Sequence, residues 1–108
     1  MSQSPDIVRV VVPFQRLDAA ASPDMRRQLA EAGHHGHTRV VLDLAEVEFI
    51  DSTGLGVLVS MLKQMAPGGR VAVVGAHPAP TRLFQITGLD RLFIFCADTD
   101  EAERALAA

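Results

Sequence analysis

The segment from residue 39 to residue 66 most constrains the fold, because its pattern changes from strand to helix within a few residues. Residues 40–44, which read Val-Val-Leu-Asp-Leu, form a short segment with β-branched side chains, which is typical of a strand buried on both faces. A second apolar patch, formed by Val47, Phe49 and Ile50, leads into the polar turn Asp51-Ser52-Thr53-Gly54. Apolar residues then recur at helical spacing, and they are Leu55, Leu58, Val59, Leu62, Met65 and Ala66. The pattern predicts a strand, a tight turn and a helix capped by Ser52 or Thr53.

The side of this helix away from the apolar stripe is predicted to be a docking surface. Its residues are Thr53, Gly54, Gly56, Val57, Ser60 and Met61. On a helical wheel Val57 and Met61 fall outside the stripe, so they would present an apolar spot to a partner. The two glycines keep this side low, although each costs about 1 kcal/mol of helix propensity relative to alanine. A well-made helix start would explain the same turn equally well, so both interpretations stay open.

The remaining segments alternate between strand and helix patterns along the whole chain. Strands are predicted at residues 7–12, 40–44, 71–74 and 92–96, and helices at residues 22–33, 55–66, 81–86 and from residue 98. Gly33 and Gly88 are the predicted ends of the first and third helices. This order predicts an α/β fold whose central strands are mostly parallel and whose crossovers are right-handed. We expect one domain over residues 1–108, with a core at about residues 7–106.

The composition narrows the function classes. The chain of 108 residues has 48% hydrophobic and 21% charged residues and a net charge of −3, so a nucleic-acid surface is not expected. It contains no apolar run of the length that spans a bilayer and no signal-peptide pattern, so we expect a cytoplasmic protein without direct membrane insertion. Cys96 has no second cysteine to pair with and lies in an apolar run, where it is predicted to be a small buried residue.

Metal and catalytic sites are not predicted either. The run His34-His35-Gly36-His37 has no cysteine or carboxylate at ligand spacing, so it is interpreted as a solvated loop. Ser52 as a nucleophile would need an activating base, and neither a G-x-S-x-G frame nor an evident histidine partner is present. Gly54-Leu55-Gly56 lacks the third glycine of a dinucleotide site. The sequence therefore predicts a binding module without cofactor or catalytic residues.

The pattern LDLAEVEFIDSTGLGVL resembles the STAS domain, a family named for sulfate transporters and anti-sigma factor antagonists. The supporting pieces are Arg16-Leu17-Asp18, Val73-Val74-Gly75, Leu83-Phe84 and Thr87-Gly88-Leu89. The resemblance extends over roughly residues 8–106 and implies a small mixed β-sheet packed with about four helices. The chain departs from the family in its shorter opening and in Gln15, where the family often has glycine.

Resemblance to anti-sigma factor antagonists also implies a function. Ser52 matches the serine that a partner anti-sigma factor, itself a serine kinase, phosphorylates. The unmodified antagonist holds the anti-sigma factor, and a serine phosphatase resets the phosphorylated form. Asp18 and Asp51 match positions near this serine, where they would position the hydroxyl or oppose a second negative charge, although turn and cap chemistry explains them equally well.

A second function fits the same family. Some small STAS proteins bind the ATPase of an ABC transporter for lipids and serve as its accessory subunits. The compact size and short opening of this chain are compatible with that alternative.

Overall fold

The computed structural model describes residues 7–33, 39–65 and 68–107. The strands are β1 (Ile7–Val11), β2 (Arg16–Leu17), β3 (Arg39–Asp43), β4 (Phe49–Ile50), β5 (Arg70–Val74) and β6 (Ile94–Cys96). The α-helices are α1 (Ser22–Gly33), α2 (Ser52–Gln64), α3 (Pro78–Thr87) and α4 (Thr99–Ala107), and a 3-10 helix spans Leu89–Leu92. The histidine run at residues 34–37 lies outside the described residues, so its predicted loop is not described.

The strands form two parallel sheets. The larger sheet has the order β1-β3-β5-β6, and β2 pairs with β4 in a smaller one. Each neighbouring pair in the larger sheet is joined by a segment that contains a helix, which is the connection that parallel strands require. The predicted α/β class and the parallel centre are confirmed. The resemblance implied a mixed sheet, but the described strands pair only in parallel, in the larger sheet and in the smaller one.

Side chains of the larger sheet alternate between two apolar cores. On β3, Val40 and Leu42 face the larger core, which also contains side chains of α1, α2 and α3. Val41 faces the opposite side, where Ala102 and Leu106 of α4 cover the sheet. Because the centres of β3 and β5 are buried on both faces, residues 40–42 of β3 and 71–74 of β5 are uninterrupted apolar runs.

The prediction that Val57 and Met61 lie outside the core is wrong. Their exposed fractions are only 1% and 4%, and both belong to the larger core. Val59 and Leu62, assigned to the apolar stripe, are only half-buried. The helical wheel located the apolar stripe from the sequence of α2 alone. In the structure α1 packs along α2 and β4 contacts it, so the buried face of α2 is rotated toward Val57. Both residues are therefore excluded from an exposed docking surface.

Other element boundaries differ near the carboxyl end of the chain. Helix α3 begins at Pro78 rather than at residue 81, because proline is accepted in the first turn, where the backbone N–H groups have no helical partner. The predicted end at Gly88 is confirmed, since this residue has a left-handed conformation with φ of 75°. The 3-10 helix that follows occupies the start of the predicted last strand, so β6 is short.

Cys96 lies at the end of β6 and is half-buried against the smaller core, less buried than predicted. Burial raises the pKa of its thiol, and the carboxylates of Glu101 and Asp98 raise that pKa further. Among the described residues, no helix is long and apolar enough to cross a membrane. In the same part of the chain, no group of three or more potential ligand side chains could hold a metal ion.

An ion pair fastens the edge strand β1 to β3. Arg9 Nη2 donates to Asp43 Oδ2 at 2.7 Å, and the Ala45 N–H donates to Asp43 Oδ1 at 2.9 Å. Partial burial raises the pKa of Asp43, but these two hydrogen bonds and the Arg9 charge lower it more, so the net pKa lies below 3.8. Ionised Asp43 therefore stabilises the fold above pH 3.8, and the contribution is lost as pH falls through the lowered pKa.

We expect Asp43→Asn to lower the free energy of unfolding at pH 7 by about 1 kcal/mol, because it removes the ion pair with Arg9. The loss is modest since the Arg9 side chain is half-exposed, which weakens the pair. The variant should lose less stability than the wild type when the pH is lowered below 3.8. Urea unfolding at neutral and acidic pH measures both effects. Asp24→Asn, which removes a mostly exposed pair with Arg27, is the control and should change little. Parallel acid profiles for Asp43→Asn and the wild type would contradict this assignment.

Candidate functional site

The small sheet brings the two predicted acidic residues to one edge. Arg16 is in register with Phe49, and Leu17 with Ile50. Because β2 and β4 are parallel, their carboxyl ends meet at the same edge, where Asp18 follows one strand and Asp51 the other. Ser52 comes next and is the first residue of α2. The structure therefore places Asp18, Asp51 and Ser52 in one region.

Asp51 is the N-cap of α2, so the prediction that Ser52 or Thr53 caps the helix is wrong. The backbone of Asp51 continues the extended conformation of β4, and its Oδ1 accepts from the Gly54 N–H at 2.8 Å. A residue that ends a strand in this conformation presents its carboxylate to the first helical turn. Because Asp51 caps the helix, the hydroxyl groups of Ser52 and Thr53 are not used for capping.

Asp18 organises the turn between β2 and α1. Its Oδ1 accepts from the N–H groups of Ala20 and Ala21 at 3.1 and 3.3 Å, and its carbonyl oxygen accepts from the Ser22 hydroxyl at 2.7 Å. Its Oδ2 lies 3.5 Å from Arg16 Nε. Asp18 therefore has the role in a turn that the sequence analysis considered for it. Its side chain is still 26% exposed.

Gly54 is buried, so the prediction that it forms part of the exposed surface is wrong. A Cβ at this position would overlap the carbonyl oxygen of Leu17. The same carbonyl accepts a hydrogen bond from the Asp51 N–H at 3.3 Å. A backbone does approach this glycine closely, as its small size suggested, but it is the chain's own strand β2.

The remaining site residues are accessible. Ser52, Thr53 and Gly56 are exposed and Ser60 is half-buried. The hydroxyls of Ser52 and Thr53 make no hydrogen bond to other described residues. A Cβ added to Gly56 would meet no atom within 4 Å, and this glycine does not have a positive φ. We call the accessible residues the Ser52 face, and they are Asp18, Asp51, Ser52, Thr53, Gly56 and Ser60.

The Ser52 face presents a hydroxyl group that forms no hydrogen bond with the other described residues. Within the described residues, no imidazole, amine or carboxylate is bonded to Ser52 Oγ. The Asp51 carboxylate is engaged with the Gly54 N–H, and His77 Nε2 lies 2.7 Å from the Ala45 carbonyl oxygen. This arrangement suits a residue that is recognised or modified by another protein.

The comparison with family models decides the family. The model described as the STAS domain matches residues 1–102. This chain belongs to the STAS family. The α/β class of the fold described above is the one that the resemblance implied, although the described strands pair only in parallel.

Relatives and solved structures of this family agree. An anti-sigma-B factor antagonist of Staphylococcus epidermidis is 35% identical over 77 residues, which are 70% of this chain and 71% of that protein. An anti-sigma factor antagonist from Mycobacterium paratuberculosis has a similar crystal structure, with a TM-score of 0.87 and 25% identity over 98% of this chain and 90% of that one. A Thermotoga neapolitana relative is 41% identical over 58 residues, so the match spans 53% of this chain and only about half, 51%, of that protein.

The structure also places two residues beside the Ser52 face that the sequence analysis did not single out. Arg16 and Phe49 are paired across β2 and β4, and the Arg16 guanidinium carbon lies 4.2 Å from the centre of the Phe49 ring. Both side chains are exposed, while Leu17 and Ile50 beside them are buried. Neither β2 nor β4 was among the strands predicted from the sequence, and their pairing was not predicted either.

The two glycines of the STAS motif should respond oppositely to alanine. We expect Gly54→Ala to lower the free energy of unfolding by about 3 kcal/mol or more, because its methyl group would overlap the Leu17 carbonyl. Gly56→Ala is the matched control and should raise stability by about 0.5–1 kcal/mol through helix propensity. Urea unfolding measures both values, and equal effects would contradict the close contact at Gly54.

Proposed function

We propose that this chain is an anti-sigma factor antagonist that binds an anti-sigma factor through the Ser52 face and is released when Ser52 is phosphorylated. The observation that carries the proposal is the exposed Ser52 hydroxyl at the first position of α2, free of hydrogen bonds to other described residues. The names of the relatives support this function over that of a transporter accessory subunit.

The anti-sigma factor in this proposal is also the serine kinase, and a phosphatase reverses its action. In the transfer, Ser52 Oγ bonds to the γ-phosphorus of ATP, the bond to the bridging oxygen of ADP breaks, and the hydroxyl proton passes to a base of the kinase. The chain contributes the acceptor hydroxyl and its placement. This role requires no catalytic base from the chain itself, and the Asp51 carboxylate already accepts a hydrogen bond from the Gly54 N–H.

Phosphorylation of Ser52 should leave the fold intact. A phosphate adds about −1.5 to −2 charges at neutral pH. At the start of α2 it meets free N–H groups and the positive end of the helix dipole, which favour an anion by about 0.3–1 kcal/mol. The neighbouring carboxylates of Asp18 and Asp51 oppose it by repulsion of similar order. The two effects nearly cancel, so little change in the free energy of unfolding is expected.

The interface responds differently to the phosphate. A partner surface that fits a small neutral hydroxyl would meet a bulky dianion, whose desolvation and repulsion fall within the contact. Because the side chains of α2 that face the core are on its other side, the modification acts on the surface alone. Binding is therefore switched by local chemistry, without a change in the core.

Ser52 is expected to be the site of phosphorylation, rather than Thr53 or Ser60. After incubation with ATP and the purified anti-sigma factor kinase, peptide mapping should find phosphate on Ser52, and Ser52→Ala should remain unmodified. Thr53→Ala, which removes the neighbouring exposed hydroxyl, is the control and should still be phosphorylated. Phosphate on Thr53 alone would refute the assignment.

The phosphorylated protein should lose most of its affinity for the anti-sigma factor, by about 30-fold or more, while its melting temperature stays within a few degrees of the wild type. Ser52→Asp should show the same direction with a smaller loss, and Ser52→Ala should keep both affinity and stability. Calorimetric titration and thermal unfolding measure the two quantities. Equal affinity of phosphorylated and unmodified protein, both folded, would reject the switch.

Gly56 gives an independent test of where the partner binds. It lies one helical turn after Ser52, and nothing in the described fold requires a glycine there. We expect Gly56→Ala to weaken binding by about tenfold or more, because its methyl group would enter the contact, although the same change stabilises the helix. Lys63→Ala, at the far end of the exposed side of α2, is the control and should bind normally. Unchanged affinity in Gly56→Ala would place the contact away from this turn.

A further inference from the structure

The Arg16 side chain is restrained at two points although most of it is in solvent. Its guanidinium carbon lies 4.2 Å from the Phe49 ring centre, a distance typical of a cation–π contact. Its Nε lies 3.5 Å from Asp18 Oδ2, and the side chain is 62% exposed. The charged group is therefore held in place before any partner binds, and a large part of it remains accessible.

The pair formed by Arg16 and Phe49 borders the Ser52 face. The two residues are in register across β2 and β4. Asp18 lies two positions after Arg16, and Asp51 lies two positions after Phe49. Phe49 is 39% exposed and is one of the few large apolar side chains on the described surface. A cation over an aromatic ring thus lies directly beside the two acidic residues that precede Ser52.

We propose that Arg16 and Phe49 extend the Ser52 face, and that the anti-sigma factor places a carboxylate on the Arg16 guanidinium. This inference rests on the function proposed above and assigns the chemistry of one contact within it. A guanidinium can bind a carboxylate through two parallel hydrogen bonds. The contact of Arg16 with Asp18 is made at Nε, at 3.5 Å. The Phe49 ring fixes the plane of the group, so little side-chain freedom is lost on binding.

The fold itself has little need of this pair. An exposed ion pair and an exposed cation–π contact contribute little to stability, and Leu17 and Ile50 supply the buried side of the small sheet. Exposed arginine and aromatic residues that are already ordered are, by contrast, frequent sources of binding energy at interfaces. Because Asp18 and Asp51 repel other acidic groups, the partner could place a carboxylate at Arg16 but not a second one beside it. This repulsion makes the contact selective.

The test measures binding of this chain to the purified anti-sigma factor by calorimetric titration. Arg16→Glu should lower affinity by about 30-fold or more, because it places like charges in the contact. Arg16→Lys keeps the charge but not the planar group, and should lose about tenfold. Arg82→Glu changes the net charge equally at an exposed position on α3, and should lose less than about threefold. Melting temperatures should stay within a few degrees for all three variants.

A charge exchange identifies the partner's group. Each exposed acidic residue of the anti-sigma factor is replaced by arginine in turn, and one replacement should restore binding to Arg16→Glu while weakening binding to the wild type. Full affinity in Arg16→Glu, an equal loss in Arg82→Glu, or no rescue by any replacement would overturn the inference. A wild-type chain that does not bind the anti-sigma factor would instead reject the proposed function.

A second variant covers the case in which Arg16→Glu is unstable. Phe49→Leu removes the ring beneath the guanidinium and should still reduce affinity. Unchanged affinity in Phe49→Leu would overturn the inference.

Discussion

The position of Ser52 depends on one backbone contact, between the Leu17 carbonyl and the start of α2. This carbonyl accepts the Asp51 N–H and packs against Gly54, whose lack of a side chain allows the approach. The contact joins the end of β2 to the junction of β4 and α2, and Asp51 closes it by capping the helix. Because the backbone holds both sides, the Ser52 hydroxyl is presented at a defined position even though it makes no described hydrogen bond of its own.

Helix α2 serves the core and the surface at the same time. Val57 and Met61 anchor it in the larger core, whereas Ser52 and Gly56 lie on its exposed side. A change confined to the exposed side removes no buried contact, so its energetic effect falls on binding rather than on folding. This separation would let a charge as large as a phosphate act on the proposed interface without disturbing the core.

The opposite face of the larger sheet has a structural role. Helix α4 covers β5 and β6 through Ala102 and Leu106, and the Arg9–Asp43 pair ties the edge strand to its neighbour. None of these residues touches the Ser52 face in the described contacts. The Ser52 face lies on the other side of the larger sheet, where α2 packs against the larger core.

Local sequence patterns determined the strand–turn–helix unit, the buried parallel strands and the helix end at Gly88, because periodicity and capping involve residues a few positions apart. The motif likewise directed attention to Ser52. Only the tertiary structure decided that Val57 and Met61 are buried, since that depends on α1 and β4 packing against α2. It also decided that Gly54 meets Leu17 and that Arg16 pairs with Phe49. These contacts join segments distant in the chain, and their register follows from packing that no local pattern encodes.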